Sequence, residues 1–182
     1  GEAGDTSVLG WQLMALHSAR VSGLNVPEAT VELAGNYLDS VQSAGGAKYS
    51  YRRGTAPNPA MCAEGLLCRM YTGWNKQIPA LEEGLGLLLK DHKPQANRQN
   101  IYYWYYATQT MHHFGGEAWE EWNLHMRDVL VATQEIRGHA AGSWSPRGPL
   151  TSQGGRIYMT ALAVCCLEVY SRHLPLFRQI DL

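Results

Sequence analysis

Apolar residues recur along this chain at helical spacing and stop at Gly and Pro. No stretch sustains alternation of apolar and polar positions, so the pattern predicts helices throughout. The helices come in two kinds. Four segments are apolar on most sides. "DTSVLGWQLMALHSARVSG" (5–23) opens at an Asp5 or Thr6 cap and stops near Gly23. "PAMCAEGLLCRMYTGW" (59–74) opens on proline. "NIYYWYYATQTMHHFGG" (100–116) has Asn100 as its cap and Gly115–Gly116 as its stop. "GRIYMTALAVCCLEVYSRH" (155–173) is the fourth.

Three other segments carry a single apolar stripe. In "VPEATVELAGNYLDSVQ" (26–42) the stripe is Val31, Ala34, Leu38 and Val41, with Pro27 suited to the first turn. In "IPALEEGLGLLLKD" (78–91) it is Ile78, Leu81, Leu85 and Leu88. In "GEAWEEWNLHMRDVLVATQ" (116–134) it is Trp119, Trp122, Met126, Val129 and Thr133, behind a first turn rich in Glu. A helix apolar all round needs cover on several sides, whereas a one-stripe helix faces solvent. Strict alternation of the kinds therefore predicts an all-α fold of inner and outer helices in antiparallel hairpins. The pattern repeats roughly every 40–55 residues.

Two connections strengthen the repeat. "VQSAGGAKYSYRRG" (41–54) and "TQEIRGHAAGSWSPRG" (133–148) each run Gln, a Gly/Ala-rich stretch, an aromatic, then Arg-Gly. Gln42 matches Gln134, Tyr49 or Tyr51 matches Trp144, and Arg53-Gly54 matches Arg147-Gly148.

Composition narrows the function classes. With 182 residues, 45% hydrophobic and 17% charged, the chain has material for one domain, and we expect a single domain over 1–182 cut from a longer chain. A formal charge of −1 gives no basic stripe for nucleic acid. No apolar run is long enough to span a membrane. The four cysteines sit in apolar runs without zinc spacing and are expected as buried thiols. Nothing in the sequence assigns a compartment.

The run from about Asp5 to Phe177 resembles the terpenoid cyclase and protein prenyltransferase superfamily, the α/α-toroid. It is most similar to the squalene–hopene-cyclase-like, prenyltransferase/squalene-oxidase repeats of bacterial proteins. "DTSVLGWQLMAL" is similar to the family's helix openings. "AGNYLDSVQSAGGAKY" and "RDVLVATQEIRGHAAGSW" are similar to its QW motif of helix end, Gln, spacer and Gly-x-aromatic. The connection "KDHKPQANRQN" (90–100) lacks that motif. The resemblance implies a partial or small toroid and structural roles for Gln42, Gln134 and Trp144. Seven helices ending on an inner one imply an open arc, a fragment, or a unit closed by self-association.

The family's chemistry is not carried over. The DxDD acid of the cyclases, the Asp/Cys/His zinc site of the prenyltransferases and the GCGEQ thioester motif are all missing. No catalytic residue, metal ligand or cofactor is assigned, and the enzyme question leans to no. His112 and His113 point about 100° apart on a helix, which disfavours one shared ion.

Two candidate binding regions follow. Tyr102, Tyr106, Gln109 and His113 share one face of the aromatic helix; with Trp11 they are expected either as core or as the wall of a cavity. Buried tyrosine hydroxyls there would look to Ser7, Gln12 or Thr160. Tyr51, Arg52, Arg53, Trp144, Arg147 and Arg156 form a rim suited to an anionic or peptide partner, unless the arginines serve the loop backbone. The leading expectation is a module that binds a hydrophobic small molecule, such as an isoprenoid, or a protein. The alternatives are a degenerate terpenoid cyclase or prenyltransferase-type enzyme and a purely structural module of a multidomain bacterial protein.

Overall fold

A computed structural model describes residues 4–177. The fold is all-α: 67% of it is helical, in eight helices, with one small two-stranded sheet. The helices are α1 (Thr6–Val21), α2 (Glu28–Val41), α3 (Pro59–Tyr71), α4 (Pro79–His92), α5 (Ile101–Phe114), α6 (Gly116–Thr133), α7 (Thr151–Leu167) and α8 (Val169–Arg172). All seven expected helices are present. The fourth apolar segment is divided at Glu168 into α7 and α8, where the Ser171 amide bonds back to Glu168 and tightens the turn. α7 also gains a turn before Gly155, whose φ of +64° marks the kink.

Side-chain caps start three of the four mostly apolar segments. Asp5, Asn58 and Asn100 accept from the amides of Val8, Met61 and Tyr103. Each cap satisfies an otherwise orphaned donor and contributes about 1 kcal/mol.

The chain divides into two compact units, Gly1–Leu87 and Leu88–Leu182. In the first, α1 packs on α3, and α2 contacts both. In the second, α5 packs against α6, α7 and α8.

The predicted stripe is buried throughout on α2 and in part on α4 and α6, where Ile78, Trp119, Val129 and Thr133 are only half-buried. Val31, Ala34, Leu38 and Val41 are buried on α2, and Leu81, Leu85 and Leu88 on α4. Trp122 and Met126 are buried on α6, joined by Leu130. Each buried leucine contributes about 2 kcal/mol of transfer free energy.

The apolar segments do not behave alike. Every residue of 61–70 in α3 is buried, and so is 101–113 in α5 except half-buried Tyr102. α1 buries only Thr6, Gly10 and Leu13, and α7 only Thr151, Met159, Ala163 and Cys166. The expectation that all four would be covered on several sides is thus corrected for α1 and α7. Composition makes a helix fit to be covered, but the number of packed neighbours decides whether it is.

Both glutamine loops adopt the same pairing. Gln42 pairs with Tyr49 in the antiparallel ribbon of β1 (Gln42–Ser43) and β2 (Lys48–Tyr49). Gln134 and Trp144 form an isolated antiparallel bridge. All four cysteines are free thiols.

Candidate functional site: a groove between α1 and α2

In the first unit an open groove of about 370 Å³ runs between α1 and α2. Helical spacing builds both walls. Val8, Leu9, Leu13 and Leu16 line it from α1, and Leu33 and Ala34 from α2. Its polar atoms come from Asp5, Gln12, Thr30 and Tyr37. Leu33 is 69% exposed and Val8 51%, so apolar surface that would cost little to cover faces solvent here.

Asp5 closes one end and is held by a converging set of donors. Its Oδ1 accepts from the Ser7 hydroxyl at 2.6 Å and the Val8 amide at 2.9 Å. Its Oδ2 accepts from the Tyr51 hydroxyl at 2.9 Å, with Arg52 at 3.8 Å. Burial raises the Asp5 pKa, but the Ser7, Val8 and Tyr51 hydrogen bonds and Arg52 outweigh it and hold the carboxyl below its ordinary value. The Tyr37 hydroxyl spans the same end, donating to the carbonyl of Gly4 at 3.1 Å.

Beyond Leu13 and Leu16 lies a second hollow, no larger than a water molecule, bordered by His17, Arg20 and Tyr71. His17 stacks on Tyr71 with ring centroids 4.5 Å apart. Burial, then the nearby Arg20 charge, lowers the His17 pKa.

The residues expected at the rim separate into distinct settings. Tyr51 and Arg52 meet at Asp5, with the Arg52 guanidinium 5.2 Å from the centre of the Tyr51 ring. They therefore frame the end of the groove. Arg53 is exposed. In the second unit Trp144 is buried, which corrects its place on a partner-binding rim: its Nε1 donates to the Leu130 carbonyl at 2.8 Å. Arg156 donates to the Ser143 hydroxyl at 3.1 Å and so serves its own loop, while Arg147 is exposed.

The residues expected on a cavity wall also divide. Tyr106, Gln109 and His113 are buried on α5, and Tyr102 packs edge-on against Tyr106 at 5.1 Å. Gln109 donates to the Tyr105 carbonyl. Trp11 belongs to the first unit, is 46% exposed and lies outside the groove lining. Of the expected hydroxyl partners, Thr160 accepts from the Trp144 amide and Ser7 donates to Asp5.

Two buried charged residues escaped the sequence reading. Arg69 of α3 donates to the Tyr49 hydroxyl at 3.0 Å, to Asp39 at 2.5 Å and to Gln42 at 2.9 Å. Glu64 of α3 is fully buried beside Gly10 of α1, where an added Cβ would stand 1.9 Å from its carboxylate. Both sit in an apolar run, and that mismatch was the available signal. Burial raises the Cys166 thiol to about 12 against a smaller opposing hydrogen bond to Thr108, so it packs as a protonated hydrophobe. No group of three or more metal-ligating side chains gathers among the described residues, and no described helix is long and apolar enough to cross a membrane.

No known protein family, curated protein or solved structure matches this chain.

Proposed function

We propose that this chain is a binding module, an α/α-repeat domain related to the terpenoid cyclase superfamily, that takes a hydrophobic small molecule into the α1–α2 groove. The single observation that carries the reading is the groove itself. Its volume of about 370 Å³ lies within the range of small-molecule sites, roughly 300–1,000 Å³, and its walls are mostly apolar with a few convergent polar groups. An isoprenoid alcohol suits that chemistry: its chain would cover Val8, Leu9, Leu33 and Ala34, and its hydroxyl would meet Gln12, Thr30 or Tyr37. The relation to the superfamily draws support from the alternation of helix types and from the paired Gln42–Tyr49 and Gln134–Trp144 loops.

Calorimetric titration with farnesol tests the reading. Saturable binding is expected, and Leu33→Glu should weaken it at least about 10-fold by placing a charge on the apolar wall. Leu33 is largely exposed, so the variant should melt like the parent chain. Absence of binding, or unchanged binding by Leu33→Glu, would overturn the assignment of the groove.

A further inference from the structure

The C-terminal end of α5 carries a cluster of rings that the groove does not involve. His112 and His113 are both buried there, and each engages the segment after α8 by a different kind of hydrogen bond. His112 Nε2 lies 2.9 Å from the carbonyl oxygen of His173. A carbonyl only accepts, so Nε2 carries the proton. His113 does the reverse: its Nδ1 lies 3.3 Å from the amide nitrogen of Leu176. An amide only donates, so this Nδ1 presents a lone pair. His112 Nδ1 is buried and makes no hydrogen bond.

We propose that residues 173–176 form an acid-sensitive latch on α5, held by neutral His113 and released when its Nδ1 takes up a proton. Protonation turns the acceptor into a donor facing the donor of Leu176. The His112 contact survives protonation, but a second proton on its ring would leave a buried donor without an acceptor. The neighbouring imidazoles reinforce the effect. His173 and His112 lie with centroids 5.6 and 6.0 Å from His113, so charge on one ring opposes charge on the others.

The elements packed on α5 present other groups to this end. α6 presents the Trp119 ring, 4.9 Å from His112; Glu117 and Glu120 are exposed on its first turn, and Glu121 is paired with Lys93. α8 presents Tyr170, 6.2 Å from His112, while Arg172 is engaged with Cys165 of α7 and with Glu168. The latch therefore holds while His113 is neutral and loosens as acid protonates it.

The experiment follows the Leu176 amide and the His113 ring nitrogens by NMR in the full chain, from about pH 8 to about pH 5. Leu176 protection is expected to fall roughly 10-fold per pH unit once His113 Nδ1 begins to protonate. His113→Asn should keep the protection and lose its pH dependence, because its Oδ1 stands where Nδ1 does, accepts the same bond and does not titrate. His139→Gln, at a site exposed on the Gln134 loop, should respond to acid as the parent chain does. If His113→Asn fails to fold, the wild-type titration decides alone. The latch is overturned if Leu176 protection stays constant while His113 protonates, or if His113→Asn keeps the acid response of the parent.

Discussion

The two glutamine loops share one plan and two ways of fastening it. In each, a Gln at the end of a one-stripe helix pairs antiparallel with an aromatic residue seven or more positions on. In the first unit the fastener is a charge. Arg69 reaches from α3 to the Tyr49 hydroxyl, Gln42 and Asp39, and its guanidinium lies 4.8 Å from the centre of the Trp74 ring. In the second the fastener is one aromatic side chain. Trp144 fills the buried space and donates to the Leu130 carbonyl, while Gln134 donates to the Gly142 carbonyl at 3.0 Å. Tyr49 offers a hydroxyl that a buried cation can use; Trp144 offers an N–H that needs only a helix-end carbonyl. A repeat can therefore conserve backbone pairing while exchanging the chemistry that locks it.

Removing the charge should separate the loops most clearly. Arg69→Met strips donors from Tyr49 and Gln42, and we expect a loss of about 2–4 kcal/mol in denaturant unfolding. The loss stays below that of a stranded buried ion because Asp39 is largely exposed and remains hydrated. An unfolding midpoint equal to the parent's would mean that Arg69 does not fasten the first loop.

Trp144→Phe makes the matching cut in the second loop. It keeps most of the apolar volume and removes the Nε1 donor, so a loss of about 1–2 kcal/mol is expected. A loss as large as that of Arg69→Met would erase the distinction between the two fasteners.

The smallest effect concerns pH. His17 has a lowered pKa in the folded chain, so the unfolded state binds the proton more readily. The contribution is fully present above about pH 6.5 and is lost as the pH falls through the lower folded value. Melting of His17→Gln should accordingly show a shallower decline between about pH 7 and pH 5 than the parent chain. Identical profiles would show that burial against Tyr71 leaves the His17 proton affinity unchanged.

The helices were legible because period and punctuation are local properties. Val31, Ala34, Leu38 and Val41 sit on one side of α2 wherever that helix lies, and Asn100 caps α5 from its own sequence. The matching of Gln42 with Gln134 was legible for the same reason: similar loops repeat similar short-range pairing. The groove was only half legible. Val8, Leu9, Leu13 and Leu16 form a readable face of α1, but its openness depends on which partner α2 brings to it, and Leu33 falls outside the α2 stripe.

The sequence by itself thus determined the all-α class, the capped starts of α1, α3 and α5 and the buried stripe of α2, since these follow from residues within a few turns of one another. Tertiary structure alone decided that α3 and α5 are enclosed while α1 and α7 keep open faces, although all four have similar composition. It also decided that Arg69 and Glu64 lie inside and that Trp144 is a buried strut. Burial is a sum over neighbours brought from distant sequence positions, and the charge of a side chain sets the cost of that burial without choosing the neighbours.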